Sequence, residues 1–459
     1  MIAASTIAID PGLVDPLLHV PRTPTPLIWV RHGEGLVGWG EALRFEVRGA
    51  KRMRTAGDWW RAVCSEAAVV DPVRAPGSGL VAFGSFAFDD DSAEASMLIV
   101  PEVVVGRRGS VAWATAVAPL HEQGELAPRL RRLVTALQDS PPSCAGLGDG
   151  GAGPVLHAPG VRPEGGSAGE PPPSCASLQG SRGNIPAARR HPGVHSARAW
   201  PGIVGEAIAA VGRGEVEKVV LARDEVVRAE TSIDLRIVAE RLARAYPSCW
   251  TYCVDGLVGA TPEMLVRSVH GLLTSRVLAG TIRRTDDDGD NLRRARALAQ
   301  SSKDLAEHEF AVASVAERLA EFAVELNVPE APFVLPLANV MHLATDVTGV
   351  ARGGPSSLDV ARALHPTAAV CGTPTSAARE LLARLEAMDR GRYAGPVGWM
   401  GDDGDGEWAI ALRVAQLSSN RREARLFAGG GIVAGSIPEE ELAETEAKLA
   451  PMRDALGVA

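Results

Sequence analysis

Aromatic side chains are scarce in this 459-residue chain: phenylalanine, tryptophan and tyrosine make up 4% of it, although 46% of residues are hydrophobic. Alanine, valine and leucine must therefore fill the core. No run of about 18 uncharged apolar residues occurs, so no helical membrane span is expected. Basic charge is also short, with 47 Lys and Arg against 56 Asp and Glu and a formal net charge of −9. That argues against nucleic acid or an anionic membrane as partner, since both reward basic patches. A small anionic ligand remains open, because it answers to local charge only. Six cysteines are present (Cys64, Cys144, Cys175, Cys249, Cys253 and Cys371), none in the spacing of a zinc site. Cys249 and Cys253 share a face of the strand-like run Cys249-Trp-Thr-Tyr-Cys253 and read as packing. A disulfide framework is not expected in so long a chain. The opening MIAASTIAIDPG lacks the basic and apolar regions of a secretory signal, which makes the cytoplasm the expected location.

What is there falls into three zones: 1–137, 138–196 and 197–459. The first is mixed α/β, with short strands in LIWVRHGEGLVGWGEA and GLVAFGSFAF and a helix over Ala127–Leu137. In the second, Pro, Gly and Ser displace the periodic apolar residues, and a near-repeat, PPSCA, occurs at Pro141–Ala145 and Pro172–Ala176. It reads as a disordered insertion. From Trp200 periodicity returns. Helices are expected over Gly202–Arg213, Leu235–Ala245 and Asn291–Leu326, with another at the C-terminus. Strands are expected over Val216–Val227, onward to Ile282, and at 337–350, 394–400, 406–417 and 424–434. Many strands with clustered helices indicate an α+β fold with a largely antiparallel sheet.

Several side chains stand where packing alone does not call for them. In the strand from Val216, Lys218 shares a face with Val220 and Ala222, a costly place for a lysine unless it is paired or neutral, and one suited to a base; an edge lysine that snorkels to water is the plainer alternative. The strand 406–417 alternates, with Trp408, Ile410, Leu412 and Val414 as its core face. Arg413 then sits among Ala409, Ala411 and Ala415, which leaves room for a carboxylate on its planar fork or for a structural ion pair. Gly429, Gly430 and Gly431 permit close approach of backbone to a ligand. Ser436 and Glu439 look like a capping box for the final helix. Within that helix Glu441, Glu444 and Lys448 share a face and suit either a divalent cation beside an anion or plain solvation. Glu307, among Leu305, Ala306 and Phe310 on another helix, could supply a further carboxylate to Mg²⁺, which needs only one or two. His308 reads as a packing residue. The acidic runs Asp286–Asp290 and Asp402–Asp405 lack the glycine and glutamate of a calcium loop and read as turns.

Taken together, the segments from about Trp200 to Ala450 resemble the chorismate-utilising enzymes: isochorismate, salicylate, anthranilate and aminodeoxychorismate synthases. The matching motifs, in the family's order, are Lys218-Val-Val-Leu-Ala-Arg223, Gly259-Ala-Thr-Pro-Glu-Met264, Leu278-Ala-Gly-Thr281, Lys303-Asp-Leu-Ala-Glu-His308, His342-Leu-Ala-Thr345, Leu364-His-Pro-Thr367, Tyr393-Ala-Gly395, Ala411-Leu-Arg413 and Glu444-Thr-Glu-Ala-Lys448. The resemblance implies one large anthranilate-synthase-like domain, with layered antiparallel sheets and flanking helices, to which the N-terminal third adds strands. It implies Lys218 as the base that activates water and Glu263 as the acid that protonates the leaving hydroxyl. It implies Glu307 and Glu444 as Mg²⁺ ligands with Glu441 close by. Gly280, Thr281, His342, Tyr393, Arg413, Lys448 and the Gly429–Gly431 backbone become substrate contacts. Thr261, Ala368 and Gly430 depart from the commoner serine, proline and alanine without removing a reactive group.

Within that family Ala369 decides the expected reaction. Lyase-type relatives usually place threonine there, whereas isochorismate synthases resemble this chain. The expected activity is thus conversion of chorismate to isochorismate, feeding a siderophore, menaquinone or salicylate route, by a monomer without an amidotransferase subunit. A salicylate or anthranilate synthase is the nearest alternative, and a catalytically dead chorismate-binding protein a further one. A dinucleotide-dependent oxidoreductase is distant: the glycines at 429, 431 and 435 are spaced one residue too long for the fingerprint, and no βαβ unit follows.

Overall fold

The computed structural model describes residues 1–139 and 185–458 apart from positions 22, 24 and 339, with side chains except at 138, 139, 303 and 307. Two large sheets dominate the described residues. The first has 13 strands and is antiparallel save where Ile2–Ile9 runs parallel to Ala68–Val70. It starts at the edge strand Ala188–Pro192 and passes through Lys218–Ala229, Glu423–Ile432, Val414–Leu417, Leu257–Thr261 and Trp250–Val254. It then continues into Leu27–Arg31 and five further strands of the N-terminal third. The second sheet has 10 strands; Leu272–Arg283, Met264–Val269, Gly406–Ile410 and Pro396–Gly401 form its centre, and Val81–Ser85, Ser96–Val100 and Leu43–Val47 extend it. N-terminal strands thus pair with C-terminal ones in both sheets (Thr251 opposite Val30, Trp399 opposite Phe83), so neither zone completes a core alone.

The main core lies between the sheets. Trp29, Tyr252, Leu221 and Phe427 come from the first, and Phe83, Trp399, Trp408 and Val347 from the second. The central strands, such as Val81–Ser85, Trp250–Val254, Pro396–Gly401 and Gly406–Ile410, are buried on both faces, which is why long apolar runs replace clean alternation there. The few aromatics are spent here: Trp29, Trp113, Trp399 and Trp408 are among the largest fully buried side chains. A second core, under the helices Leu235–Ala245 and Pro438–Ala455, is built from Val238, Leu242, Leu449 and Met452 against Val258, Leu426, Cys249 and Cys253. Both of these cysteines are free and buried, in their expected packing role. No helix among the described residues is long and apolar enough to cross a membrane.

Four local expectations are corrected. The expected insertion reaches 196, yet Ala188–Pro192 is a strand, because its backbone pairs with Glu225–Ala229; the part of the disorder expected over 138–196 that falls on 140–184 lies outside the described residues. The long helices expected over 291–326 are Asp288–Gln300 and Ser302–Leu319, separated where Ser301 caps the second, but they stop short of 326. The tail of that stretch, Ala323–Asn327, is an edge strand on Val340–Ala351, where tertiary pairing overrides local helix preference. The capping box does not form: the last helix starts at Pro438 after an extended Ile437, and the Ser436 hydroxyl instead accepts from the Val433 amide at 3.2 Å. Finally, 406–417 is two strands in different sheets, Gly406–Ile410 and Val414–Leu417. The acidic runs behave as turns and caps, with Asp287 capping the helix from Asp288. His308 is buried, its Nε2 2.7 Å from Thr345 Oγ1.

Candidate active site

Two points where the chain leaves one sheet for the other frame the site. Leu257–Thr261 belongs to the first sheet and Met264–Val269 to the second, so Pro262 and Glu263 form a crossover. Residues 411–413 form another between Gly406–Ile410 and Val414–Leu417. The two are tied together: the Ile410 amide donates to Glu263 O at 3.1 Å and the Ala260 amide to Arg413 O at 3.3 Å. At the second crossover Arg413 takes a left-handed backbone, φ +47°, which breaks strand alternation. Leu412 and Arg413 therefore both line the cleft, and Leu412 also packs against the main core as expected. The Ala394 amide donates to Ala411 O and the Ala411 amide to Gly395 O, both at 2.9 Å, which docks the Tyr393-Ala-Gly395 turn onto this crossover, and the Tyr252 hydroxyl donates to Leu412 O at 2.9 Å.

The cleft between these elements encloses about 740 Å³, counting its open mouth. It gathers Lys218, Glu263, Gly280, Thr281, His342, Ala369, Tyr393, Arg413, Gly429, Gly430, Gly431, Glu444 and Lys448. These positions span more than 200 residues of sequence, yet every one was singled out from sequence. Val220, Pro262, Leu278, Ala279, Val370 and Leu412 also line it and were missed, since an apolar residue beside a motif carries no signal of facing a ligand rather than the core.

Gly280 is an extra residue in its strand: Ala279 faces Leu343 and Thr281 faces His342, so a bulge falls on Gly280 at φ +71°. The bulge re-aims Thr281, whose hydroxyl lies 3.0 Å from His342 Nδ1. Burial, with Arg413 and Lys448 nearby, pushes the His342 imidazole down to about 3, so it is neutral. Its Nε2 is buried with no hydrogen-bond partner among the described residues, which leaves it for a ligand. Tyr393 stacks on Phe427 with ring centroids 5.1 Å apart, and burial pushes its hydroxyl up to about 12.

Charge in the cleft is uneven. Burial pushes the Glu263 carboxyl up to about 7, against the pull of Arg413, Lys218 and Lys448. A carboxyl that keeps its proton near neutrality among cations is suited to donate it. Glu444 goes the other way: burial opposes its charge, but Lys448, Arg413 and Lys218 hold the carboxyl below its usual range. Lys448 pairs with Glu444 and donates to Gly429 O at 2.7 Å. A Cβ added at Gly430 would lie 2.9 Å from Glu441 Oε2 and 3.8 Å from Glu444 Oε1, so both carboxylates close over that backbone. Among the described residues no group of three or more His, Cys, Asp or Glu side chains is placed to hold a metal ion. Glu307 lies in the helix Ser302–Leu319, but its side chain is outside the described residues. Two convergent carboxylates are hard oxygen donors of the kind and number Mg²⁺ takes while keeping several waters, so the donor set fits that ion.

The profile of the chorismate binding enzyme family matches residues 26–143 and 180–457. The salicylate biosynthesis isochorismate synthase of Pseudomonas aeruginosa is 32% identical over 474 residues, covering 99% of this chain and 90% of that protein. The isochorismate synthase DhbC of Bacillus subtilis is 38% identical over 267 residues, covering 56% of this chain and 67% of that protein. Among solved structures, the menaquinone-specific isochorismate synthase MenF of Escherichia coli superposes with a TM-score of 0.73 at 24% identity, covering 99% of this chain and 95% of that one, a likeness of fold. With the family profile running through both the N-terminal strands and the cleft, this chain belongs to the chorismate-binding enzymes.

Proposed function

We propose that the protein is an isochorismate synthase. It adds water at C2 of chorismate, shifts both ring double bonds and expels the 4-hydroxyl. The observation that carries this is Glu263: an acid protonated to about pH 7 in the same cleft as Lys218. Water is a poor nucleophile and hydroxide a poor leaving group, so the exchange needs a base and an acid on one substrate. Lys218 takes the proton of the attacking water as the C2–O bond forms. Glu263 delivers its proton to the departing 4-oxygen as the C4–O bond breaks. No atom is gained overall, and lysine and glutamate return to their starting states by exchange with solvent.

Chorismate carries two carboxylates, and the cleft offers Arg413 and Lys448 to bind them, with the neutral His342 and the Tyr393 hydroxyl as further polar contacts. Glu444 and Glu441, with Glu307, would hold Mg²⁺; bound, the ion stabilises negative charge developing on the ring carboxylate. Ala369 gives the wall beside Val370 no hydroxyl with which to redirect the enolpyruvyl group, which favours release of isochorismate. The enzyme acts as a monomer without an amidotransferase subunit, in the cytoplasm. The relatives' names place isochorismate in salicylate and menaquinone routes. Incubation with chorismate and Mg²⁺ followed by chromatography tests the reading. Isochorismate without pyruvate is expected; pyruvate in equal amount to chorismate consumed would make the protein a lyase instead.

A further inference from the structure

The strand that begins at Lys218 is supported unevenly. On one side it pairs along its length with Glu423–Ile432. On the other, Gly372–Thr373 covers Lys218 and Val219, and Ala188–Pro192 covers residues 225–229. Between these two partners no strand among the described residues covers the edge; the Val220 amide donates to Cys371 O at 2.9 Å, and two side chains take the backbone groups that follow. Arg390 Nη2 donates to Val220 O at 2.6 Å, and the Ala222 amide donates to Glu386 Oε1 at 2.7 Å. The two residues also grip each other through Arg390 Nε to Glu386 Oε2 at 2.9 Å and Nη2 to Oε1 at 2.6 Å. Both side chains are only 3% exposed.

The same guanidinium reaches the rest of the cleft wall. Its Nη1 donates to Val370 O at 2.8 Å, directly after Ala369. Its carbon lies 5.8 Å from the centroid of the Tyr393 ring and 4.5 Å from that of Phe88. Val220, Val370 and Tyr393 all line the cleft. One planar, five-donor group thus ties together the strand of the base, the wall at Ala369 and the tyrosine, without lining the cleft itself. A lysine could not do this, because one ammonium cannot serve two carbonyls and a carboxylate in those fixed directions.

We propose that Arg390, oriented by Glu386, is a positioning residue for the reaction: it fixes the separation between the Lys218 strand and the Ala369–Val370 wall, and hence the seating of chorismate against its base. The proposal rests on the isochorismate synthase reading, and the wild-type product assay tests that reading separately. Arg390→Lys keeps the buried charge, and Glu386→Gln keeps the shape and the bond from Ala222, so each spares the fold in a different way. Arg108→Lys is the comparator, since it disturbs a 2.8 Å guanidinium–carboxylate contact, to Glu407, away from the cleft.

Steady-state kinetics with chorismate and Mg²⁺ gives the answer. KM does not depend on what fraction of the enzyme is folded, so a merely structural role would leave it alone. Arg390→Lys should raise KM about tenfold and lower kcat/KM by about 10²-fold, the scale expected for a shift of about 1 Å at a reacting group. Glu386→Gln should move both the same way by a smaller factor, and Arg108→Lys should leave KM unchanged. If KM stays within about twofold of wild type in both cleft-wall variants, or rises equally in Arg108→Lys, the positioning role is refuted.

Discussion

Replacing Glu263 by glutamine sets what the reaction needs against what the fold prefers. In the native protein burial lifts this carboxyl from 4.5 to about 7. In the unfolded chain it ionises near its ordinary value of about 4.3–4.5. Below that pH both states carry the proton, and the residue does not affect stability. As pH rises past about 4.5 the unfolded state loses its proton first, so unfolding becomes easier. The loss is complete once the native carboxyl has also ionised, above about 7. The gap between the two values corresponds to about 3 kcal/mol, at about 1.4 kcal/mol per pH unit. Glutamine has nearly the same shape and never ionises, so Glu263→Gln should be more stable than wild type by up to about 3 kcal/mol at pH 8.5 and equal to it near pH 4.5. For a chain of 459 residues the unfolding entropy is about 1 kcal/mol per kelvin, so Tm should rise by about 3 °C at the higher pH. Activity should fall by about 10²–10⁴-fold, because an amide cannot donate the proton of an acid. Thermal unfolding of both proteins across pH 4.5–8.5 is the assay. A Tm difference that does not change with pH, or a variant that loses stability at pH 8.5, would show that this carboxyl is not held neutral by burial.

The same carboxyl predicts the alkaline limb of the pH–rate profile: kcat/KM should fall about tenfold per pH unit above about 7, and a flat profile to pH 9 would remove Glu263 as the acid. Lys218→Ala should lower kcat by about 10²–10⁴-fold with the fold intact by circular dichroism, and near-normal turnover would reassign the base. Glu444→Gln should raise the Mg²⁺ concentration needed for half-maximal activity, since a neutral amide is a poor ligand for a hard cation; an unshifted titration would exclude Glu444 as a ligand. Ala369→Thr should slow isochorismate formation by about 10²-fold. A stiff β-branched side chain must then fit a wall that borders both the main cleft and a smaller cavity beside Glu263 and Thr367, and an unchanged rate would mean that the wall yields.

The sequence by itself determined the chemistry that this protein can carry. Lys218, Arg413, the three glycines and the Glu441–Glu444–Lys448 face stand out by residue type and spacing, although packing or solvation could also account for them, and the resemblance to the chorismate-utilising enzymes adds Glu263. Helical spacing alone brings Lys448 onto Glu444, and the pair forms. Local signals failed where long-range pairing outbid them. Ala188–Pro192 lies in a stretch without apolar periodicity and becomes a strand only because the edge of Lys218–Ala229 is there to pair with. Residues 323–327, at the end of a helix-like pattern, are drawn into the second sheet by Val340–Ala351. Arg413 was picked out by an alternation that does not exist in the folded chain, because a left-handed residue switches the backbone between sheets there. Tertiary structure alone decided that Glu263 holds its proton, since its ordinary value moves only when distant strands close over it and exclude water. It alone also joined Glu386 and Arg390 to Val220 and Val370. In sequence nothing marks them beyond a spacing of four residues, and only the gap in the sheet edge, about 170 residues away along the chain, makes them a brace behind the cleft wall.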